Sequence, residues 1–328
     1  MKTRRIYGFA ALFCLVVTVL SLTMGAAKLP LGKLWLAIVG GPQDSAGYIF
    51  WYSRLPRTAA CLLAGAALAA AGCILQSVLG NRLASPSIVG VNAGAGFGVT
   101  LCCGLGLLGG WTIALSAFGG ALLSVLIVVA LAKKTGASRS TVILSGVAMN
   151  SILAALSDAV ITLVPDAAML SNDFRVGGFA SVSHTRLIPA GILIGAALLV
   201  LLSLCSELDV LSLGEETAQS LGLSVKSMQY IFLILAAILA GAAVSFAGLL
   251  GFVGLLVPHI GRRLVGTESG KLLPLCILGG GGFVCFCDLG ARLVFAPYEL
   301  PVGILLSVLG GPFFLLLLFR GKRGGRGA

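Results

Sequence analysis

Long apolar runs alternate with short polar breaks along the whole chain. Runs of about 20 residues, enough for a helix to cross a bilayer, occupy roughly 6–27, 56–78, 87–108, 111–132, 140–163, 186–206, 227–249, 251–261, 271–295 and 301–320. The eighth is the shortest, because Pro258 and Arg262 leave it little apolar length. The second is built from Gly and Ala rather than Leu and Phe, and small residues let membrane helices approach closely. The pattern predicts an all-α polytopic membrane protein of about ten transmembrane helices, one domain over 1–328.

The runs also carry an echo. Residues 63–72 read LAGAALAAAG and residues 239–248 read LAGAAVSFAG, seven matches in ten at an offset of 176. The copies fall in the second and seventh runs, five crossings apart, so they travel in opposite directions. An inverted internal repeat of spans 2–5 and 7–10 is the expectation.

Composition excludes a soluble domain. Hydrophobic residues make up 58% and charged residues 10%, against roughly 25% charged in soluble domains; mean hydropathy is +1.09. The net charge of +11 does not point to nucleic acid, because the cations sit in short loops and at the ends. With the N-terminus inside, 15 of the 22 basic residues fall on the inner side, the bias that orients membrane proteins; both termini are then cytoplasmic. The first 27 residues imitate a signal peptide, but the run from Ile6 to Met24 suits a retained span. Nine cysteines lie in apolar runs without zinc-type spacing, as small buried side chains do, so no metal site is expected.

Few residues offer chemistry. The loop 207–226 is the longest charged inner segment. Within it, Leu213 to Gly222 reads as a short amphipathic helix bounded by Gly214 and Gly222. Glu215 and Glu216 favour its first turn, and Leu213, Ala218 and Leu221 offer an apolar patch suited to a partner's groove. Asp158 and Asp288 lie within runs, near their outer ends, too shallow for a proton relay. His259 suits packing or capping, and His184 an exposed position in the long outer loop 165–186. Arg54, Arg57 and Arg292 lie on the side where cations are disfavoured. Interface snorkelling accounts for the first two, and an i, i+4 pair with Asp288 for the third.

The chain resembles the membrane permeases of the iron–siderophore, haem and vitamin B12 group of ATP-binding-cassette importers. The resemblance rests on Arg54-Leu55-Pro56-Arg57, Gly65-Ala66-Ala67-Leu68, Gly72, Gln76, Asn81 with Leu83-Ala84 and Pro86, and Gly90 to Gly94. It continues through Leu213-Gly214 to Leu221-Gly222, Gly251 to Leu255, Pro258-His259, Arg262 and Glu299 to Gly303. Arg82 departs from it, since the family usually places proline there. The resemblance implies a homodimer with the pathway on its axis, two cytoplasmic ATP-binding subunits and an extracytoplasmic substrate-binding protein. It implies that segment 213–222 couples to the ATPase and that Arg54, Arg57 and Arg292 meet the binding protein's acidic residues. Gln76, Asn81, Pro86, Asn92, Gly94 and Gly96 are the expected pathway-lining residues. No GxxxxGK[ST] loop occurs, so ATP and Mg belong to the partner and this chain binds no cofactor itself. The implied cargo is a bulky iron chelate, iron–siderophore first, with haem or cobalamin as alternatives, across the cytoplasmic membrane. An ion-coupled secondary transporter is the competing reading; it would need a deep acidic or sodium site.

Overall fold

The structure, a computed structural model, describes residues 2–25, 31–134, 139–294, 296 and 298–323. Lys28 and Arg326, two of the 22 basic residues counted above, lie outside the described residues. In chain order the helices are α1 (Lys2–Thr23), α2 (Leu31–Gly40), α3 (Ser45–Tyr48), α4 (Leu55–Val78), α5 (Val91–Gly104), α6 (Gly110–Lys134), α7 (Arg139–Leu163), α8 (Asp166–Val176), α9 (His184–Ser203), α10 (Cys205–Ser212), α11 (Glu215–Ser220), α12 (Val225–Ala247), α13 (Val253–Val265), α14 (Ser269–Val294) and α15 (Val302–Arg323). A π-helical stretch, Ile49–Arg54, joins α3 to α4. No strand occurs among the described residues.

Seven helical stretches are long and apolar enough to cross a membrane, by length and composition: Thr3–Thr23, Ser45–Val78, Gly110–Ala132, Ser140–Leu163, His184–Ser203, Val225–Ala247 and Ser269–Val294. The remaining three expected runs form the shorter helices α5, α13 and the apolar part of α15, Val302–Leu316. The third run is shortened because residues 81–90 fold into turns. Ala84 N–H donates to Asn81 O, and Val91 N–H to Pro86 O. Gly90, at φ 95°, admits the chain into α5. The segments 31–54 and 165–186 hold helices α2, α3 and α8 that the apolar pattern alone does not predict.

The core is α4 with α12 and α14 packed on it. α4 is 83% buried over its most apolar window, whereas α1 is 11% and α7 22% buried. Alanines explain how α4 takes the centre: Ala60, Ala64, Ala67, Ala69, Ala70 and Ala71 are wholly buried. They present a narrow cylinder with no side-chain entropy to lose. Where α4 crosses α14, a Cβ on Gly65 of α4 would collide with the Gly280 carbonyl of α14, and one on Gly280 with the Gly65 carbonyl. Lower on α4, a Cβ on Gly72 would strike the Gly254 backbone of α13. Such contact supplies the van der Waals packing that holds membrane helices together where lipid is as apolar as the side chains.

Helix α13 begins under strain. Phe252, just before it, has φ 65°, which costs a non-glycine residue free energy and persists only when the surroundings impose it. Its ring fills the space beside Gly310 of α15, where any Cβ would collide with it.

Candidate functional site

At one end of α4 lies a buried charge cluster. Arg57 donates from Nε to both oxygens of Asp288, at 3.2 and 3.1 Å, and from Nη2 at 3.0 Å. Its Nη1 donates to Glu299 at 2.5 Å. Asp288, wholly buried, also ion-pairs with Arg292 one helical turn on, at 3.0 Å. That Nε contact is not aligned as a hydrogen bond, so its strength is Coulombic rather than directional. Arg292 donates its other nitrogens to Ser21 Oγ at 2.7 Å and Met24 O at 3.4 Å. Arg54 Nη1 donates to Leu22 O and Thr23 O. Those last carbonyls of α1 have no partner inside their own helix, and a cation there also complements the helix dipole.

These contacts give the three arginines partners within the chain, and Arg54, Arg57 and Arg292 are 4, 9 and 3% exposed. A long cation at a helix end reads as surface charge until its partner is seen, and Asp288 lies 231 residues from Arg57. The i, i+4 pair of Arg292 with Asp288 is present. Beside the cluster, a cavity of about 150 Å³ is walled by Arg57, Asp173, Phe179, Glu299 and Pro301, among others.

The residues expected to line a pathway divide. Gln76, Pro86 and Gly94 are buried within the chain, so inside this chain they are packing residues. Gln76 Nε2 donates to Gly254 O at 3.0 Å, and its Oε1 accepts from Arg262; the side chain ties α4 to both ends of α13. Gly94 meets Gly120 backbone to backbone, which leaves no room for cargo between α5 and α6. Asn81, Asn92 and Gly96 are half-buried. Asn81 Oδ1 accepts from Leu83 N–H at 2.9 Å, closing an Asx turn. Asn92 Nδ2 donates to Ser87 Oγ at 2.9 Å.

At the opposite end of α4 and α14 sits the 205–226 segment, a pair of short helices rather than one. Gly214, at φ 115°, separates α10 from α11, and Gly222, at φ 83°, follows α11; both conformations favour glycine. Two bonds fix the pair to the core. Asp209 Oδ1 accepts from Ser269 N–H at 2.7 Å, satisfying an orphan donor at the start of α14. Glu215 Oε1 accepts from Gln229 Nε2 of α12 at 3.0 Å. Leu208, Leu211 and Ala218 are wholly buried, so Ala218 anchors the segment instead of joining an exposed patch. Leu213 and Leu221 are 62 and 64% exposed, with Glu216 exposed nearby. A cavity of about 530 Å³ opens beside α11, between Glu215, Gln219, Gly222 and Lys226. Asp209 and Gln229 carry no signal in the sequence, since an acid 60 residues from the amide it caps leaves no local pattern.

The other candidates fall elsewhere. His184 is half-buried, not exposed, with Nε2 2.6 Å from Trp51 O. His259 packs edge-on against Phe313, centroids 5.8 Å apart. Asp158 is exposed on α7. The nine cysteines are free thiols, and the described residues hold no group of three potential metal ligands.

An all-helical bundle with several membrane-length apolar helices, buried charge at one end and a tethered pair of short helices at the other defines an integral membrane protein. The chain belongs to the FecCD transport family, whose model matches residues 13–320. It is 33% identical to the hemin transport system permease protein HmuU of Yersinia pestis, covering 98% of this chain and 97% of that protein. It is 36% identical to the iron(3+)-hydroxamate import system permease protein FhuB of Bacillus subtilis (98% and 86%) and to the vitamin B12 import system permease protein BtuC of Salmonella paratyphi A (95% and 94%). A solved metal-chelate type ABC transporter in an inward-facing conformation superposes with a TM-score of 0.86 at 27% identity, covering 97% of this chain and 99% of the other.

Proposed function

We propose that this chain is the membrane-spanning subunit of an ATP-driven importer that carries a bulky iron chelate across the cytoplasmic membrane. Iron–siderophore is the first choice of cargo, with haem and cobalamin next. Relatives named for haem, hydroxamate and vitamin B12 transport support the class. In this reading two copies form the pathway between them, with two ATP-binding subunits on the 205–226 side and a substrate-binding protein on the Arg57 side. Both termini are cytoplasmic. Ten crossings arise when α5, α13 and α15 are counted with the seven longer helices. The central packing of α4 on α12, which carry the echoed segments, supports an inverted repeat.

The observation that carries the reading is the α10–α11 segment. Leu213 and Leu221 stand in solvent on a scaffold fixed to α14 and α12 by Asp209 and Glu215. Exposed apolar anchors on a rigid element suit a partner's groove, and the tethers give movement of that partner a route into the bundle. An ion-coupled carrier would leave the segment unused. It would also need a deep free acid, whereas Asp288 is paired with two arginines. Because Arg54, Arg57 and Arg292 are buried, their part in docking is to shape the surface around the half-exposed Glu299. Uptake into proteoliposomes with the ATP-binding and substrate-binding partners, with and without ATP, tests the proposal.

A further inference from the structure

Among the described residues, an apolar face outside the spans is left open. Helix α2 carries Trp35, Ile38 and Val39, which are 66, 41 and 69% exposed. Spaced at i, i+3 and i+4, they share one side of the helix. The opposite side is taken. Ala37 is buried in a cluster with Ala46 and Phe50, and Leu22 and Trp51 pack against the same cluster. Trp51 Nε1 donates to Ala37 O at 3.0 Å, one of the last-turn carbonyls that have no partner inside their own helix. Helix α2 is thus held to the bundle by one face and presents the other outward.

The depth of that face says what covers it. The apolar stretch of α1, Thr3–Thr23, is 21 residues long, about 30 Å at the helical rise, which matches the hydrocarbon layer of a bilayer. Leu22, in its last turn, packs on the cluster that holds α2, and Arg54 caps the carbonyls of Leu22 and Thr23. Helix α2 therefore sits at the edge of the hydrocarbon rather than in free solution. Lipid already reaches this level, because α1 is 11% buried over its most apolar window and exposes Phe9, Leu12, Leu15, Val16 and Val19. The ten residues of α2 are too few to span, and a lone helix of that length is marginal in water. Trp and Tyr, apolar bodies with a polar tip, concentrate where membrane meets water. Tyr52, two residues before Arg54 and 60% exposed, stacks on the exposed Tyr48 with centroids 5.7 Å apart and adds to the same belt.

We propose that α2 is an interfacial helix, with Trp35, Ile38 and Val39 in the boundary between headgroups and acyl chains at the end of the bundle where α1 stops. The occupant of the open face is the lipid surface itself. This rests on the chain being membrane-embedded and not on its cargo or on ATP coupling, so its test is independent of both. The test is tryptophan fluorescence of the full chain in phosphatidylcholine vesicles, with the emission of Trp35 taken as the difference between wild type and Trp35→Phe. That emission is expected to be quenched more by lipids brominated near the headgroup than by lipids brominated near the chain end, because an interfacial helix lies about 5–10 Å into the boundary. Iodide on both faces of the vesicle is expected to quench it little. Ile38→Asp with Val39→Asp, both at exposed positions, is expected to raise iodide quenching about threefold or more, since interfacial binding scales with buried apolar area. Strong iodide quenching of Trp35 in wild type would mean that the face stands in water and awaits a protein. Stronger quenching from the chain ends would mean a deeply buried segment. Either result, or unchanged iodide quenching in the double variant, would overturn the proposal.

Discussion

Asp288, with no exposure, sits between Arg57 and Arg292, each 3.0 Å away at its nearest ion-pair contact. One carboxylate thereby joins α4 and α14 at the end where α1 stops. A buried ion pair is weak evidence of net stability, but removing one partner strands the others at a cost of about 3–5 kcal/mol. Asp288→Ala is expected to lower the thermal midpoint of the purified protein sharply. Glu299→Gln, at a side chain 35% exposed, is expected to move it far less, since exposed pairs contribute about 0–1 kcal/mol. Equal, small shifts in both would contradict the assignment.

The α4–α14 crossing makes a second prediction. Gly65→Ala places a methyl group against the Gly280 backbone, which cannot swing aside as a side chain can. Overpacking of this kind costs about 1–3 kcal/mol. Gly119→Ala, where nothing lies within 4 Å, is the control and is expected to be neutral. The readout is the midpoint of unfolding in detergent.

The tether of α10 to α14 gives a third. Asp209→Ala removes the side-chain acceptor from Ser269 N–H and is expected to cost about 0.5–2 kcal/mol, as losing a helix cap does. Asp209→Asn keeps an acceptor oxygen and is expected to retain most of that stability. A full loss in Asn as well would mean that charge, not the hydrogen bond, is the contribution.

The exposed anchors give a fourth. Leu213→Glu with Leu221→Glu changes two solvent-facing side chains, so the fold is expected to survive with its midpoint unchanged. Association with the ATP-binding subunit is expected to fall about 30-fold or more, the loss typical of removing an interface anchor. Unchanged co-purification would sink the coupling role of this segment.

How far the sequence discloses the molecule depends on whether the cause is local. Leu55–Val78 is legible because apolar composition and length alone make a span, and its small residues announce close packing. Gly214 and Gly222 bracket α11 visibly for the same reason, since glycine at positive φ is a local demand. The burial of the arginines is not legible in the sequence, because what buries them is a carboxylate on another helix and the carbonyl end of α1. Gln76 and Gly94 resemble pathway residues until Gly254 and Gly120 are brought against them. Helix α8 is hidden in the sequence because its polar stretch, DAAMLSNDFRV, lacks the long apolar run that marks the spans.

The most direct test of the account is chelate uptake by the chain reconstituted with its ATP-binding and substrate-binding partners. Uptake of a ferric siderophore is expected to require ATP and both partners, and to be abolished in Leu213→Glu with Leu221→Glu. Uptake driven by an ion gradient in the absence of the ATP-binding subunit would contradict it.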